Sequence, residues 1–165
     1  MPPTATKRLL STALLILLAV SARAEIVRPA PDFVISGGKS LKSFLGQPVV
    51  LVIAPSPESK VFRRQIRRLQ RGYEGLAARK TIFIAAFSKN NSGVIRSNIP
   101  FATAANGARV AADYGATGPI CVAVIGQDGN LDLKSEESVP AFRVRDAILN
   151  NFTLQAAERP ENMGQ

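Results

Sequence analysis

Cys121 is the only thiol in the chain, and the chain contains no histidine. A thiolate is both a nucleophile and a soft metal ligand, which makes Cys121 the residue best suited to redox or covalent work. It lies between Ile120 and Val122 in an apolar run, where a free cysteine also serves as a small buried hydrophobe. The two readings predict opposite exposures, and the apolar neighbours favour the core. Without histidine, Ser-His-Asp and Cys-His catalysis are excluded, as are His-containing zinc sites. A single cysteine forms no intramolecular disulfide, so the domain must be held by its core. No cofactor or metal motif is present. Gly37-Gly38 and Gly126 to Gly129 lack the spacing and the lysine of a phosphate loop and read as turns.

The second chemically distinctive group is basic. Lys60, Arg64, Arg67, Arg68 and Arg71 fall on one stripe of a predicted helix, with Arg63 at its margin. Such a stripe is either a solvated helix face or a contact for phosphates or an acidic partner. Ser56, Pro57, Glu58 and Ser59 precede that helix. They read as a cap, with Ser56 at the N-cap, Pro57 at the first helical position and Glu58 in the first turn. The alternative is a small ligand held by the backbone N–H groups of the helix start. The neighbouring acids Glu136 and Glu137 are read as dipole compensation near a later helix start.

The N-terminus carries Lys7 and Arg8, an apolar run from Leu9 to Val20, and Ala22-Arg23-Ala24. That is the three-part pattern of a secretory signal cleaved near Ala24. The expected organisation is a signal peptide at 1–24, one domain at 25–152 and a polar tail at 153–165. The chain has 21 Lys+Arg and 12 Asp+Glu. Lys7, Arg8 and Arg23 leave with the signal, so 18 cations face 12 acids, a net charge of +6. A periplasmic or secreted protein with no membrane span after cleavage is expected. An envelope protein or an anionic surface is the expected partner, and nucleic acid is not. The oligomeric state is not legible.

The elements that must position these groups follow from periodicity. Val49 to Ala54, Thr81 to Phe87 and Ile120 to Ile125 are continuous apolar runs, as buried strands require. Phe33 to Ile35 reads as a short strand and Ser40 to Leu45 as a helical turn. A helix from about Pro57 to Arg71, continuing to Ala78 past a break at Gly72, buries Phe62, Ile66, Leu69, Tyr73 and Leu76. Residues 88–108 read as a polar connector with a short apolar piece at Ile99-Pro100-Phe101. Ala108 to Tyr114 is a helix. Gly126 to Asn130 is a turn, and Leu131 to Lys134 returns as its hairpin partner. Ser138 caps a last helix from Val139 to Phe152, with Phe142, Leu149 and Phe152 on its apolar face, helped by Val144 and Ile148. Strands alternating with helices predict an α/β fold with a mixed, mostly parallel sheet, helices on both faces and an antiparallel hairpin at the edge.

This order resembles the thioredoxin-like superfamily, a three-layer fold, over about residues 31–152. Val49-Val50-Leu51-Val52-Ile53-Ala54, a proline-containing turn and a helix resemble the active-site strand and helix of exported thiol-disulfide oxidoreductases and peroxiredoxins. Asn98-Ile99-Pro100-Phe101 and Val110 to Pro119 resemble the segment leading to their cis-proline, and Val122 to Asn130 resembles the next strand and its Asp-Gly hairpin. Ala54-Pro55-Ser56-Pro57-Glu58-Ser59, Arg63-Arg64-Gln65 and Ile125 to Gly129 resemble, more closely, a bacterial family of exported thioredoxin-like domains of unknown function. The resemblance implies that Ser56, Pro57, Glu58, Ser59 and Pro119 occupy the active-site turn, and that Pro119 is cis. Residues 54–61 contain no cysteine, whereas the redox enzymes keep their reactive thiol at that helix start. The expected function is therefore non-catalytic binding through Lys60, Arg63, Arg64, Arg67, Arg68 and Arg71. The alternative is a single-cysteine thiol redox enzyme, of peroxidase or reductase type, using Cys121.

Overall fold

An apolar side chain at every position of a strand has to be covered on both faces. Val49–Ala54 forms such a strand, β1, with all six residues buried. The structure is a computed structural model that describes residues 28–90 and 92–150. The predicted signal peptide, its cleavage site, Phe152 and the predicted tail lie outside the described residues.

β2 (Ile82–Phe87) runs parallel to β1, and β3 (Phe101–Thr103) runs parallel to β2. On the other side β4 (Cys121–Ile125) runs antiparallel to β1, and β5 (Leu131–Ser135) antiparallel to β4. The five-stranded sheet has the order β3-β2-β1-β4-β5. Two of its four pairings are parallel. The sheet is thus mixed as expected, but the antiparallel part reaches its centre and is not confined to the edge. An apolar run carries no direction, and only the pairing of β4 with β1 decides it.

Helices cover both faces and make three layers. One face holds α1 (Lys60–Gln70), α2 (Tyr73–Ala77) and α4 (Ala141–Leu149), packed on Val50, Val52, Phe83, Ala85, Val122 and Val124. The other holds α3 (Gly107–Asp113) with Phe33, Ile35 and Leu41, packed on Leu51, Ile53, Ile84, Cys121 and Ala123. A 3-10 turn spans Leu41–Phe44. Phe62, the largest fully buried side chain, stacks edge-on against Phe87 at 5.0 Å, within the preferred range for aromatic pairs.

Several expectations shift. Phe33 to Ile35 makes only isolated bridges, Val34 to Ser40 and Ile35 to Ala104. β3 forms within the expected connector, because Phe101 pairs with Phe83 along the open edge of β2. α1 starts at Lys60, not Pro57. Ser59 is the N-cap, its Oγ accepting from the Phe62 N–H at 3.3 Å, while Ser56 accepts a turn bond from the Ser59 N–H at 3.2 Å. Pro57 is buried, so it serves the turn rather than the first helical position, and Glu58 falls ahead of the cap. Pro140, not Ser138, precedes α4. Val144 and Ile148 are buried there, but Phe142 is 58% exposed. Ala141, Val144 and Ile148, at i, i+3 and i+7, form the buried stripe of α4, and Phe142 falls outside it.

Candidate functional site

The turn between β1 and α1 sits where a parallel β1–β2 pair ends. The Lys89 and Asn90 N–H groups both donate to the Pro55 carbonyl, at 3.1 and 3.0 Å, and tie the turn to the end of β2. Pro119 approaches the same region from the loop before β4. It lines a groove of about 380 Å³ with Val61, Arg64, Arg68, Ile120, Glu137 and Ser138. The structure thus brings Arg64 and Arg68 to the Pro119 loop. No peptide bond among the described residues is cis, so the Gly118–Pro119 bond is trans. That corrects the expectation drawn from the resemblance, in a loop whose Gly-Pro pair stands one residue short of the usual pattern.

The Pro119 loop is held by Glu136. Its carboxylate accepts from the Thr117 Oγ1 at 2.8 Å and the Thr117 N–H at 3.2 Å, and Lys134 Nζ lies 3.8 Å away. The two bonds from Thr117, helped by Lys134, hold the Glu136 carboxyl below the usual carboxylate range. Glu136 therefore fastens a loop rather than compensating a helix dipole. A loop contact nineteen residues away in sequence leaves no local signal.

Gln65 is the residue that periodicity missed. It is fully buried on α1. Its Nε2 donates to the Val139 carbonyl at 2.8 Å, and its Oε1 accepts from the Val139 N–H at 2.8 Å and the Ser138 Oγ at 2.9 Å. The amide pairs with a backbone peptide as a neighbouring strand would, and anchors the segment leading into α4. Arg68, one turn on, donates to the Ser138 carbonyl at 3.0 Å. α1 therefore grips residues 138–139 from its buried face and from its exposed edge.

The cations of α1 and its C-cap point outward. Lys60, Arg63, Arg64, Arg67, Arg68 and Arg71 are all exposed, and none makes an ion pair among the described residues. No acidic residue occupies the first turn. Four like-charged pairs stand at i,i+4 along this helix (60/64, 63/67, 64/68 and 67/71), each unfavourable by about 0.2–0.5 kcal/mol. Cations in the first turn also oppose the helix dipole. The helix forms because Phe62, Ile66 and Leu69 bury its other face.

Cys121 does not join this group. It pairs with Ile53 and shares that residue's face, beneath α3 and on the side of the sheet away from α1. It is 0% exposed. Burial pushes its thiol up from its ordinary value; Lys134 pulls it down by less, and Glu136 adds to the rise. The folded protein should accordingly resist alkylation across the neutral and mildly alkaline range, while the denatured chain reacts with the ordinary thiol profile near ~8.5. The sign on stability follows. A thiol whose folded value is raised favours the folded state below its unfolded value, and that contribution falls away as pH rises above ~8.5. Rapid labelling of the folded protein near neutrality would overturn the burial. Among the described residues no group of three or more Cys, Asp or Glu could hold a metal ion. No helix there is long and apolar enough to cross a membrane.

No family model matches the chain, and no curated protein matches it either. Solved structures do. A protein described as the thiol:disulfide interchange protein DsbE from Chlorobium tepidum superposes with a TM-score of 0.62 at 19% identity, over 74% of this chain and 94% of that one. The reduced 2-Cys peroxiredoxin of Plasmodium vivax gives 0.56 at 15% identity, over 80% and 97%. A conserved protein of unknown function from Bacteroides fragilis, BF1870, gives 0.55 at 13%, over 72% and 95%. At such identities the likeness speaks for the fold alone: the chain is a thioredoxin-like α/β domain with one cysteine and no Cys-x-x-Cys.

Proposed function

We propose that this protein is an exported binding module that engages an acidic partner, an envelope protein or another anionic surface, through the exposed cations of α1, without thiol chemistry. The observation that carries the reading is the set of six exposed cations from Lys60 to Arg71 with no ion pair among the described residues. No ion pair among the described residues relieves their mutual repulsion, and a carboxylate-rich partner would. Export is supported by the charged, apolar and Ala-x-Ala pattern of residues 1–24.

The test replaces Arg63, Arg64 and Arg67 with glutamine together, leaving Arg68 and its bond to Ser138 in place. Retention on immobilised polyglutamate at ~0.1 M salt, where exposed charges act over about 10 Å, should fall about tenfold or more. Thermal stability should hold or rise by about 1 kcal/mol as the like-charge pairs are removed. A control replaces Arg79, Lys80 and Lys89, exposed residues elsewhere, with glutamine. It removes the same net charge and should retain most of the binding. Equal losses in the two triple variants would reduce the reading to net charge and sink it.

The redox neighbours favour a second reading, a single-cysteine thiol enzyme using Cys121 and an external thiol. It requires an exposed thiol of lowered pKa. The burial of Cys121 and the upward shift of its thiol oppose that, and the labelling profile given above decides between the two.

A further inference from the structure

A cleft of about 910 Å³ opens between the C-terminal end of α1, α2 and the start of α4. Three arginines line it, Arg68 from α1, Arg71 at its C-cap and Arg145 from α4, against one lining carboxylate, Glu74; Arg145 also pairs with its neighbour Asp146 at 3.5 Å. Arg68 is held in place by its bond to the Ser138 carbonyl. Phe142, on the first turn of α4, also lines the cleft and is 58% exposed. It is the aromatic that periodicity assigns to the core, and it stands instead among cations. Tyr73 contributes a half-buried ring to the lining.

Two glycines shape this cleft. A Cβ at Gly72 would lie 2.6 Å from the Ala141 Cβ, so the absence of a side chain there lets α4 start directly against α2. Gly75 lies inside α2, and a Cβ there would meet nothing within 4 Å. A glycine inside a helix costs about 1 kcal/mol relative to alanine. Close packing does not require one at position 75, and its effect is to keep the cleft wall open.

We propose that this cleft binds an acidic segment of a partner protein that carries an aromatic or large aliphatic side chain, its carboxylates meeting Arg68, Arg71 and Arg145 and its apolar side chain resting on Phe142. The inference rests on the reading of α1 as an acidic-partner surface and deepens it by naming an apolar anchor. Arginine and aromatic side chains are the residue types that dominate binding hot spots. An acidic chain without an apolar residue would leave Phe142 in water, and a purely apolar one would cover the Arg68 and Arg71 guanidinium groups without offering either a carboxylate.

The experiment selects short random peptides displayed on phage against the immobilised protein, then measures the affinity of the enriched sequences. Enriched peptides should combine several Asp or Glu with a Phe, Trp, Leu or Met. Phe142→Ala should weaken them about tenfold, roughly 1.4 kcal/mol. Gly75→Leu, which grows a side chain into open space, should weaken them at least as much while the melting temperature holds. The matched peptide with its apolar residue replaced by Gly should be insensitive to both substitutions. Enrichment without acidic residues, no enrichment, or affinities that neither substitution changes would overturn the proposal. Tight binding to anionic phosphatidylglycerol vesicles that Phe142→Ala leaves unaltered, with no peptide selected, would overturn it in favour of a membrane surface. If peptides bind through acidic residues alone and only the Arg63, Arg64 and Arg67 variant weakens them, this inference fails and the broader α1 reading survives. If polyglutamate binding is also indifferent to that variant, both fail.

Discussion

Gln65→Leu should destabilise the protein by about 1–3 kcal/mol, although it replaces a polar side chain in the core with an apolar one of similar size. By burial alone the change would be favourable, since a Leu side chain placed in the core contributes about 1.5–3 kcal/mol. Against that, the Val139 N–H and C=O both lose their amide partner, as does the Ser138 Oγ. The two peptide groups are buried and cost about 1–3 kcal/mol each when orphaned, which outweighs the apolar gain; the Ser138 hydroxyl is part-buried and can turn to water. Denaturant unfolding followed by circular dichroism measures the difference; a variant as stable as the parent would show that the amide–peptide pairing contributes nothing. Gln65→Glu gives a second reading of the same contact. Ionised, it turns a carboxylate toward the Val139 carbonyl in a buried site, and protonated it can donate there as the amide does. Its folded pKa should be raised by burial. A raised acid favours the folded state at low pH and loses that contribution as pH climbs past its ordinary value near 4.3. The deficit of Gln65→Glu should therefore be smaller near pH 4 than near pH 7.

Gly107→Ala carries the other large effect, and its sign is the point. Gly107 opens α3, and helix propensity alone would make alanine better by up to about 1 kcal/mol. The position, however, lies directly on the backbone of β2: a Cβ would overlap the nitrogen, carbonyl carbon and oxygen of Phe87. Backbone atoms of a central strand cannot rotate aside as a side chain can. α3 would have to lift from β2 and open the face that covers Ile84, Ala86 and Cys121. The expected cost is at or beyond the upper end of the roughly 1–3 kcal/mol range for overpacking, a fall of about 10 °C in melting temperature for a domain of this size. Ala108→Gly, at an exposed neighbour, loses only propensity, about 1 kcal/mol. A Gly107→Ala protein more stable than the parent would refute the close approach of α3 to β2. Because Cys121 lies under α3, the same variant should also quicken its alkylation if the helix lifts as described.

The two contacts serve different faces of one domain. Gln65 and Arg68 together fasten residues 138–139 to α1, so the start of α4 is set against the end of α1. That junction places Arg145 and Phe142 opposite Arg68 and Arg71. Gly107 holds the other layer, which closes over the only thiol. A basic surface on one side of the sheet and a sealed cysteine on the other are consequences of the same strand register.

Local patterns in the chain were enough to define much of the architecture. Val49–Ala54 and Ile82–Phe87 are apolar throughout, which requires covered strands whatever lies beside them. Phe62, Ile66 and Leu69 recur at helical spacing, so the face α1 buries is set by period alone, and the cations fall outside by subtraction. Asp128-Gly129 marks the hairpin, and Gly129 takes the positive φ of 80° that it needs. The absence of cysteine from residues 54–61 is a matter of composition. What local patterns could not decide was everything that depends on a distant partner. A strand buried on both faces has no parity of its own, so only the pairing of Cys121 with Ile53 sends the thiol beneath α3. The direction of β4, the strand at Phe101–Thr103 and the Glu136 clasp on Thr117 all arise between segments far apart in sequence. Gln65 reads as polar and therefore as surface, until a peptide seventy-four residues away supplies the partners that let it be buried. Phe142 reads as core by its type, but the stripe that packs on the sheet is Ala141, Val144 and Ile148, which leaves it outside. Local periodicity decides which residues must be covered. Long-range pairing decides what covers them, and with it where the charge, the cleft and the thiol lie.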